Sequence, residues 1–184
     1  RFTQYFGGFG DDPFIKPIPG REHVIAVKRR ADETSPLFAE NWHSDWSFQA
    51  RPPAGTCLFG ITIPPVGGNT DFSNQHAALD AMPDTLRAKI EDRNAVHSAR
   101  GGYAPSGMYG TGDKDRSMDI RSGDEALATQ LHPFIRRHPE TGRYQPNTVY
   151  WLAAQGLPEG RGHGHGLHLI GVRTKHDKFF NAQA

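Results

Sequence analysis

Glycine and proline interrupt this sequence along its whole length. The 184 residues include 21 glycines and 14 prolines, and both residue types end helices and favour turns. Long helices are therefore unfavourable, and we expect short strands joined by turns rather than a helical bundle. A chain of this length is expected to form a single domain, spanning residues 1–184, with one hydrophobic core.

The charge balance argues against highly charged partners. Lys and Arg total 21 and Asp and Glu total 20, which gives a formal net charge of +1. This balance favours neither nucleic acid nor a membrane surface, and the sequence has no apolar run long enough to span a bilayer. A small molecule is the expected partner. The single cysteine, Cys57, cannot form an internal disulfide, so a cytoplasmic location is expected.

The hydrophobic pattern predicts strands and two short helices. Strands are expected at 23–30, at 56–63 and at 131–143, where the chain enters a Glu-Thr-Gly turn. The run at 56–63 is continuously apolar and bounded by proline pairs, which favours a buried strand. Between residues 74 and 96 apolar residues recur at helical spacing, and Pro83 is placed to begin the second helix.

Two segments lack a regular pattern. Residues 98–130 are polar and rich in glycine, and an aperiodic segment of that length is typical of a functional loop, here a candidate lid, or of disorder. Residues 144–184 form a divergent tail with short apolar pieces and a tract rich in glycine and histidine. The chain opens without methionine, so we expect its natural start to lie upstream.

The segment NWHSDWSFQARPPAG (41–55) contains a candidate metal site. On a strand, residues i and i+2 project to the same face, so His43 and Asp45 could present an imidazole nitrogen and a carboxylate oxygen to one ion. A second histidine would complete the two-histidine, one-carboxylate set that leaves open positions on iron(II). By spacing alone, such a pair is more often a hydrogen-bonded polar pair, and neighbouring aromatic residues more often fill a core.

A longer pattern makes the metal interpretation more specific. WHSD (42–45) is followed by Phe48, by RPP (51–53), by the apolar run, and by PPVGGNT (64–70) before Phe72. Over residues 1–143 this order resembles the taurine and 2,4-dichlorophenoxyacetate dioxygenase family of iron(II)- and 2-oxoglutarate-dependent enzymes. Gly67 and Gly68 within it favour a turn rather than a phosphate-binding loop, because no suitable helix follows directly.

The resemblance implies a mainly β fold with flanking helices, a double-stranded β-helix or jelly roll, whose sheet is incomplete if the tail does not supply its strands. It implies that His43 and Asp45 are iron ligands and that the Thr70 hydroxyl binds a carboxylate of 2-oxoglutarate. It also suggests that Phe48 lines the substrate pocket. Without the resemblance, Thr70 is explained by the preference of β-branched residues for strands.

The tail departs from the family pattern. Members of the family take the third iron ligand from a stretch similar to Trp-Asp-Asn-Arg followed by a histidine, and further along an arginine pairs with the far carboxylate of 2-oxoglutarate. That stretch is absent here. The tract GHGHGLH (162–168) offers His163 as the third ligand, with His165 and His168 as alternatives, and Arg173 as the carboxylate partner. The competing explanations are a C-terminal part that has been deleted or replaced, as by a shifted reading frame, and a Gly/His tract that binds metal loosely.

The function implied by the resemblance is that of a dioxygenase that uses iron(II), 2-oxoglutarate and O2. It would hydroxylate a small organic acid, such as a sulfonate, an alkyl sulfate or an aryloxyalkanoate, and release succinate and CO2. The resemblance implies a polar residue at position 39 in taurine-specific members, whereas this chain has the small Ala39. Taurine is therefore not favoured. The alternative is an inactive or truncated jelly-roll remnant that at most binds a small ligand. Family members are often dimers or tetramers, so a homo-oligomer is an open alternative to a monomer.

Overall fold

The computed structural model describes residues 2–39, 42–111 and 115–147, and the backbone of residues 169–175. The strands are β1 (Asn69–Asn74), β2 (Asn94–Ser98), β3 (Thr129–Pro133), β4 (Ile135–Arg137), β5 (Tyr144–Pro146) and β6 (Leu169–Lys175). The helices are α1 (Gln75–Asp80), α2 (Asp84–Ile90) and α3 (Arg100–Tyr103), with 3₁₀ turns at Thr3–Tyr5 and Asp124–Leu127. Within the described ranges, no helix is both long and apolar enough to cross a lipid bilayer.

The strands form three antiparallel pairs. β1 pairs with β6, β2 with β3, and β4 with β5. In the described part of the chain these pairs are separate two-stranded sheets that do not close into a barrel. Antiparallel strands flanked by helices agree with the mainly β prediction, whereas a complete jelly roll is not formed by these strands.

The two helices predicted between residues 74 and 96 are confirmed. The Asn74 side chain accepts a hydrogen bond from the Ala77 amide (3.1 Å), which caps the start of α1. Pro83 directly precedes α2, where its fixed φ suits entry into a helix. The buried apolar residues of this region form one cluster: Ala78, Leu79, Met82 and Ile135. The helix pair therefore packs against β4.

The larger core cluster draws mainly on the segment that the sequence leaves without a pattern. Its buried members are Phe14, Ile15, Ala99, Tyr103, Ala104, Met118 and Ala126. All but the first two come from residues 98–130, so much of the candidate lid is packed into the core. Close backbone folding explains its glycine content: a Cβ on Gly110 would lie 2.1 Å from the carbonyl oxygen of Pro105. Movement of the segment as a lid stays a prediction.

The buried carboxylate of Glu33 connects residues 98–130 to the loop that follows residue 28. Glu33 is buried, and it accepts hydrogen bonds from the amide and the hydroxyl of Ser117. The guanidinium of Arg29 lies 3.3 Å from the same carboxylate and neutralises it. On the surface nearby, Arg30 and Asp115 form an ion pair of 2.7 Å.

Two predicted strands are wrong. Residues 23–30 make only a single β-bridge, between Pro17 and Ile25. Residues 56–63 are irregular, and their apolar side chains are exposed, with Phe59 at 86% and Ile61 at 88%. A strand needs a neighbour for its backbone hydrogen bonds and a face to pack on. In the described part of the chain no strand pairs with residues 56–63.

The predicted strand and turn at 131–143 are confirmed. The strand is divided at Phe134 into the end of β3 and the start of β4. Gly142 then takes a left-handed conformation (φ 68°), which closes the turn that leads to β5.

The buried helix pair and the exposed run at 56–63 should respond differently when leucine is replaced by alanine. Leu79→Ala removes a side chain that is 3% exposed and should lower the free energy of unfolding by about 2–5 kcal/mol. Leu58→Ala removes one that is 66% exposed and should change it by less than about 0.5 kcal/mol. Urea denaturation followed by circular dichroism measures both. Equal losses in the two variants would mean that residues 56–63 are buried in solution.

Candidate active site

The side chains of His43 and Asp45 contact each other. His43 Nε2 lies 3.2 Å from Asp45 Oδ1, and about a third of each side chain is exposed (33% and 37%). The sequence predicts a strand for this pair, but the structure has no regular strand at these residues. Asp45 instead opens a turn that continues to Phe48, and Trp46 within it takes a left-handed conformation (φ 48°). His43 precedes the turn and Asp45 is its first residue.

Aromatic packing holds this turn in place. A left-handed conformation costs a residue with a Cβ about 1–2 kcal/mol, so the neighbours of Trp46 must stabilise it. Its ring lies 5.6 Å from that of Phe48 and 6.2 Å from that of Tyr103. The Phe48 ring also meets Phe14 edge-on at 5.5 Å. Both side chains of the turn therefore contribute to the core, and a contact of Phe48 with substrate stays a prediction.

The second oxygen of Asp45 has a partner of its own. Thr56 Oγ1 donates a hydrogen bond of 2.7 Å to Asp45 Oδ2. Burial raises the pKa of Asp45, but the hydrogen bonds from His43 and Thr56 outweigh it and hold the pKa below its ordinary value. The carboxylate is therefore charged at neutral pH. Sequence reasoning missed Thr56, because a threonine at the start of an apolar run is explained by β-propensity alone.

The chemistry of these two donors fits a divalent transition metal. A neutral imidazole and a carboxylate both suit ferrous iron. Nε2 of His43 and Oδ1 of Asp45 lie 3.2 Å apart, so the two donor atoms could approach one ion. The described residues contain no group of three or more His, Cys, Asp or Glu side chains arranged to hold a metal. His163, predicted as the third ligand, and its alternatives His165 and His168 lie outside the described residues.

The predicted co-substrate residues lie on paired strands. Gly67 and Gly68 have left-handed backbones (φ 79° and 73°), which turn the chain into β1. Thr70 on β1 is half-buried and lies opposite Thr174 of β6. Arg173 is the next residue along β6 and lies opposite Asp71. Paired residues share a face of a sheet, so Thr70 shares one face with Thr174, and Arg173 shares the other face with Asp71. The strand pair does not by itself bring Thr70 and Arg173 to one ligand, and their binding of 2-oxoglutarate stays a prediction.

Comparison with known proteins decides the family. The sequence model described as "Taurine catabolism dioxygenase TauD, TfdA family" matches residues 1–156. The chain belongs to this family. The resemblance read from residues 42–72 is therefore confirmed.

Relatives within the TauD/TfdA family act with 2-oxoglutarate, also called alpha-ketoglutarate. The chain is 35% identical over 118 residues to the alpha-ketoglutarate-dependent 2,4-dichlorophenoxyacetate dioxygenase of Cupriavidus pinatubonensis, covering 64% of this chain and 38% of that protein. It is 33% identical over 117 residues to the (S)-phenoxypropionate/alpha-ketoglutarate-dioxygenase of Delftia acidovorans, with coverages of 64% and 38%. The chain thus spans about two fifths of the length of these curated relatives.

A solved structure shares the fold. AAD-2 in complex with Mn(II) and N-oxalylglycine matches with a TM-score of 0.51 at 21% identity, over 79% of this chain and 65% of the other. This similarity shows that the described elements are arranged as in a known member of the fold class.

A pair of histidines lies near the turn at residues 45–48 of this TauD/TfdA chain. His97 on β2 is buried, and its ring meets that of His132 on β3 at 5.2 Å. His132 Nε2 donates a hydrogen bond of 2.9 Å to the carbonyl oxygen of Gln49, just after the turn. Burial lowers the pKa of His97, and the proximity of His132 lowers it further. No sequence signal marked this pair, because the two residues are far apart along the chain.

The buried histidine predicts a loss of stability in acid. His97 stays neutral in the fold, while in the unfolded chain it binds a proton below its ordinary pKa of about 6.5. The unfolded state then binds more protons, so the free energy of unfolding should fall as pH drops from about 6.5 toward the lowered pKa, by at most about 1.4 kcal/mol per pH unit. His97→Gln should flatten this dependence, measured by urea denaturation between pH 8 and pH 5. The exposed His23→Gln is the control; an unchanged slope in His97→Gln would contradict the assignment.

Proposed function

We propose that this chain is part of an iron(II)- and 2-oxoglutarate-dependent dioxygenase that hydroxylates a small organic acid. The observation that carries the proposal is the His43–Asp45 contact at the start of a turn within the family-matched region, with both side chains partly exposed. We also propose that the three strand pairs belong to a double-stranded β-helix.

His43 and Asp45 would hold the metal. In the structure His43 Nε2 is within hydrogen-bonding reach of Asp45 Oδ1, so in the absence of metal this nitrogen carries the shared proton. To bind an ion through the Nε2 lone pair, neutral His43 would carry its proton on Nδ1 instead, while the charged Asp45 offers Oδ1. Metal binding should therefore weaken as pH falls and His43 gains a second proton.

The co-substrate would lie beside β1. The Thr70 hydroxyl can donate to a carboxylate oxygen, and the guanidinium of Arg173 is the geometric complement of a carboxylate. With O2, iron(II) and 2-oxoglutarate supply the oxidising chemistry, in which 2-oxoglutarate becomes succinate and CO2 and a substrate C–H bond becomes C–OH. The third ligand is proposed to be His163.

The substrate class is supported by the relatives. Their names specify dichlorophenoxyacetate, phenoxypropionate and, in a Pseudomonas putida protein that is 30% identical over 144 residues, sulfate esters. These molecules share an acidic group and an organic body of modest size. We propose a substrate of the same kind, an aryloxyalkanoate, alkyl sulfate or sulfonate.

The proposal predicts that the metal ligands are indispensable. His43→Ala and Asp45→Ala should each weaken Mn(II) binding, measured by isothermal titration calorimetry, by more than about 100-fold, since loss of a ligand exceeds the effect of losing an outer-shell partner. Both should also abolish succinate formation from 2-oxoglutarate with iron(II) in air. His23→Ala, which changes an exposed histidine outside the site, should leave binding and turnover unchanged.

Two results would contradict this function. If the folded wild-type chain binds neither Mn(II) nor 2-oxoglutarate, the alternative is correct and the chain is an inactive jelly-roll remnant. Metal binding that survives in His43→Ala but is lost when His163, His165 and His168 are all replaced by alanine would identify the Gly/His tract as the binding element.

A further inference from the structure

The Asp45 carboxylate is held from both sides. Oδ1 faces His43 Nε2 at 3.2 Å, and Oδ2 accepts the hydrogen bond from Thr56 Oγ1 at 2.7 Å. A carboxylate rotates over a broad range about its terminal torsion unless something fixes it. Here the Thr56 hydroxyl occupies one oxygen and leaves the other beside the imidazole.

We propose that Thr56 is a positioning residue of the metal site, which makes Asp45 bind through Oδ1 alone. This inference rests on the proposed function. A carboxylate can bind a cation through one oxygen or through both. Binding through both would fill a coordination position that a two-histidine, one-carboxylate site leaves open for the co-substrate or dioxygen. A hydrogen bond to Oδ2 disfavours that second mode.

The hydrogen bond between Thr56 and Asp45 contributes little to the stability of the fold. Thr56 is an exposed residue, and the segment that it begins is irregular and makes no strand. A hydrogen bond in contact with water adds little to folding, because solvent replaces it in the unfolded chain. The hydrogen bond matters more because it orients the Asp45 carboxylate. Hydrogen-bond partners of metal-binding carboxylates typically change metal affinity by about 10- to 100-fold.

The residues between Asp45 and Thr56 restrict the conformations of the loop that brings these two side chains together. Pro52 and Pro53 fix two φ angles between Asp45 and Thr56, which narrows the conformations open to this stretch. Gln49, within the same stretch, donates from its side-chain amide to the carbonyl oxygen of Asp11 (2.9 Å) and accepts the His132 hydrogen bond at its own carbonyl oxygen. The loop that returns the chain to Asp45 is thus anchored at its middle.

The test separates the hydroxyl from the shape of the side chain. Thr56→Val keeps the branched shape and removes the hydroxyl, whereas Thr56→Ser keeps the hydroxyl. On the full chain, Mn(II) affinity by calorimetry should fall about tenfold in Thr56→Val and stay within about twofold of wild type in Thr56→Ser. The affinity of the Mn(II)-loaded protein for N-oxalylglycine should fall in Thr56→Val as well, because a two-oxygen Asp45 competes for the position that the ligand needs. Both variants should keep the wild-type circular dichroism spectrum.

The outcomes distinguish this inference from the function on which it rests. If wild type binds Mn(II) and Thr56→Val binds Mn(II) and N-oxalylglycine equally well, Thr56 has no positioning role and the proposed function stands. If Thr56→Ser loses as much affinity as Thr56→Val, the methyl group and not the hydroxyl matters, and the inference is wrong. If the folded wild type binds no Mn(II), both the function and the inference fail. Should Thr56→Val lose its fold, Thr56→Ala takes its place with the same expected losses.

Discussion

The stacking of Tyr103 on Phe14 is the contact on which the rest of the described structure depends. The two rings lie 4.6 Å apart and nearly parallel, at 13°. Phe14 comes from the N-terminal segment and Tyr103 from the 98–130 segment, and both rings also meet aromatic residues of the turn at 45–48. Removing water from these rings stabilises the packing of three regions, two of which are also joined by the β-bridge between Ile15 and Ile120. Burial raises the pKa of the Tyr103 hydroxyl far above its ordinary value, so this side chain stays neutral near Asp45.

The turn at residues 45–48 shows how packing can offset local strain. Trp46, the residue after Asp45, carries a left-handed conformation (φ 48°). A glycine would adopt this conformation at no steric cost, but it would not supply the ring that packs on Phe48 and Tyr103. An aromatic pair adds about 0.5–1.5 kcal/mol beyond its buried area, which is comparable to the strain. The packing of the Trp46 ring in the core therefore offsets the strain of its own backbone.

The sequence predicts those parts of the structure that depend on local interactions. The helices around Pro83 and the turn at Gly142 follow from capping and backbone preferences within a few residues, and both are present. The run at 56–63 has every local mark of a strand, yet a strand exists only where a neighbour accepts its hydrogen bonds. The site divides in the same way. His43 and Asp45 are visible as a motif, while Thr56 becomes recognisable only when the chain returns to Asp45, and a glycine-rich segment gives no sign that Tyr103 will be buried.

The local character of the described site determines what the distant residues must supply. His43, Asp45 and Thr56 lie within one short stretch, so bringing them together costs little loop-closure entropy, and this cost rises only slowly with loop length. Two donors are nevertheless fewer than the three that a two-histidine, one-carboxylate site uses. A third donor must come from beyond this stretch, and its fixed position relative to Oδ1 of Asp45 would leave the remaining positions open. Under the proposed function, the orientation that Thr56 gives to Asp45 is thus useful only if a third donor reaches that place, a role for which His163 is proposed.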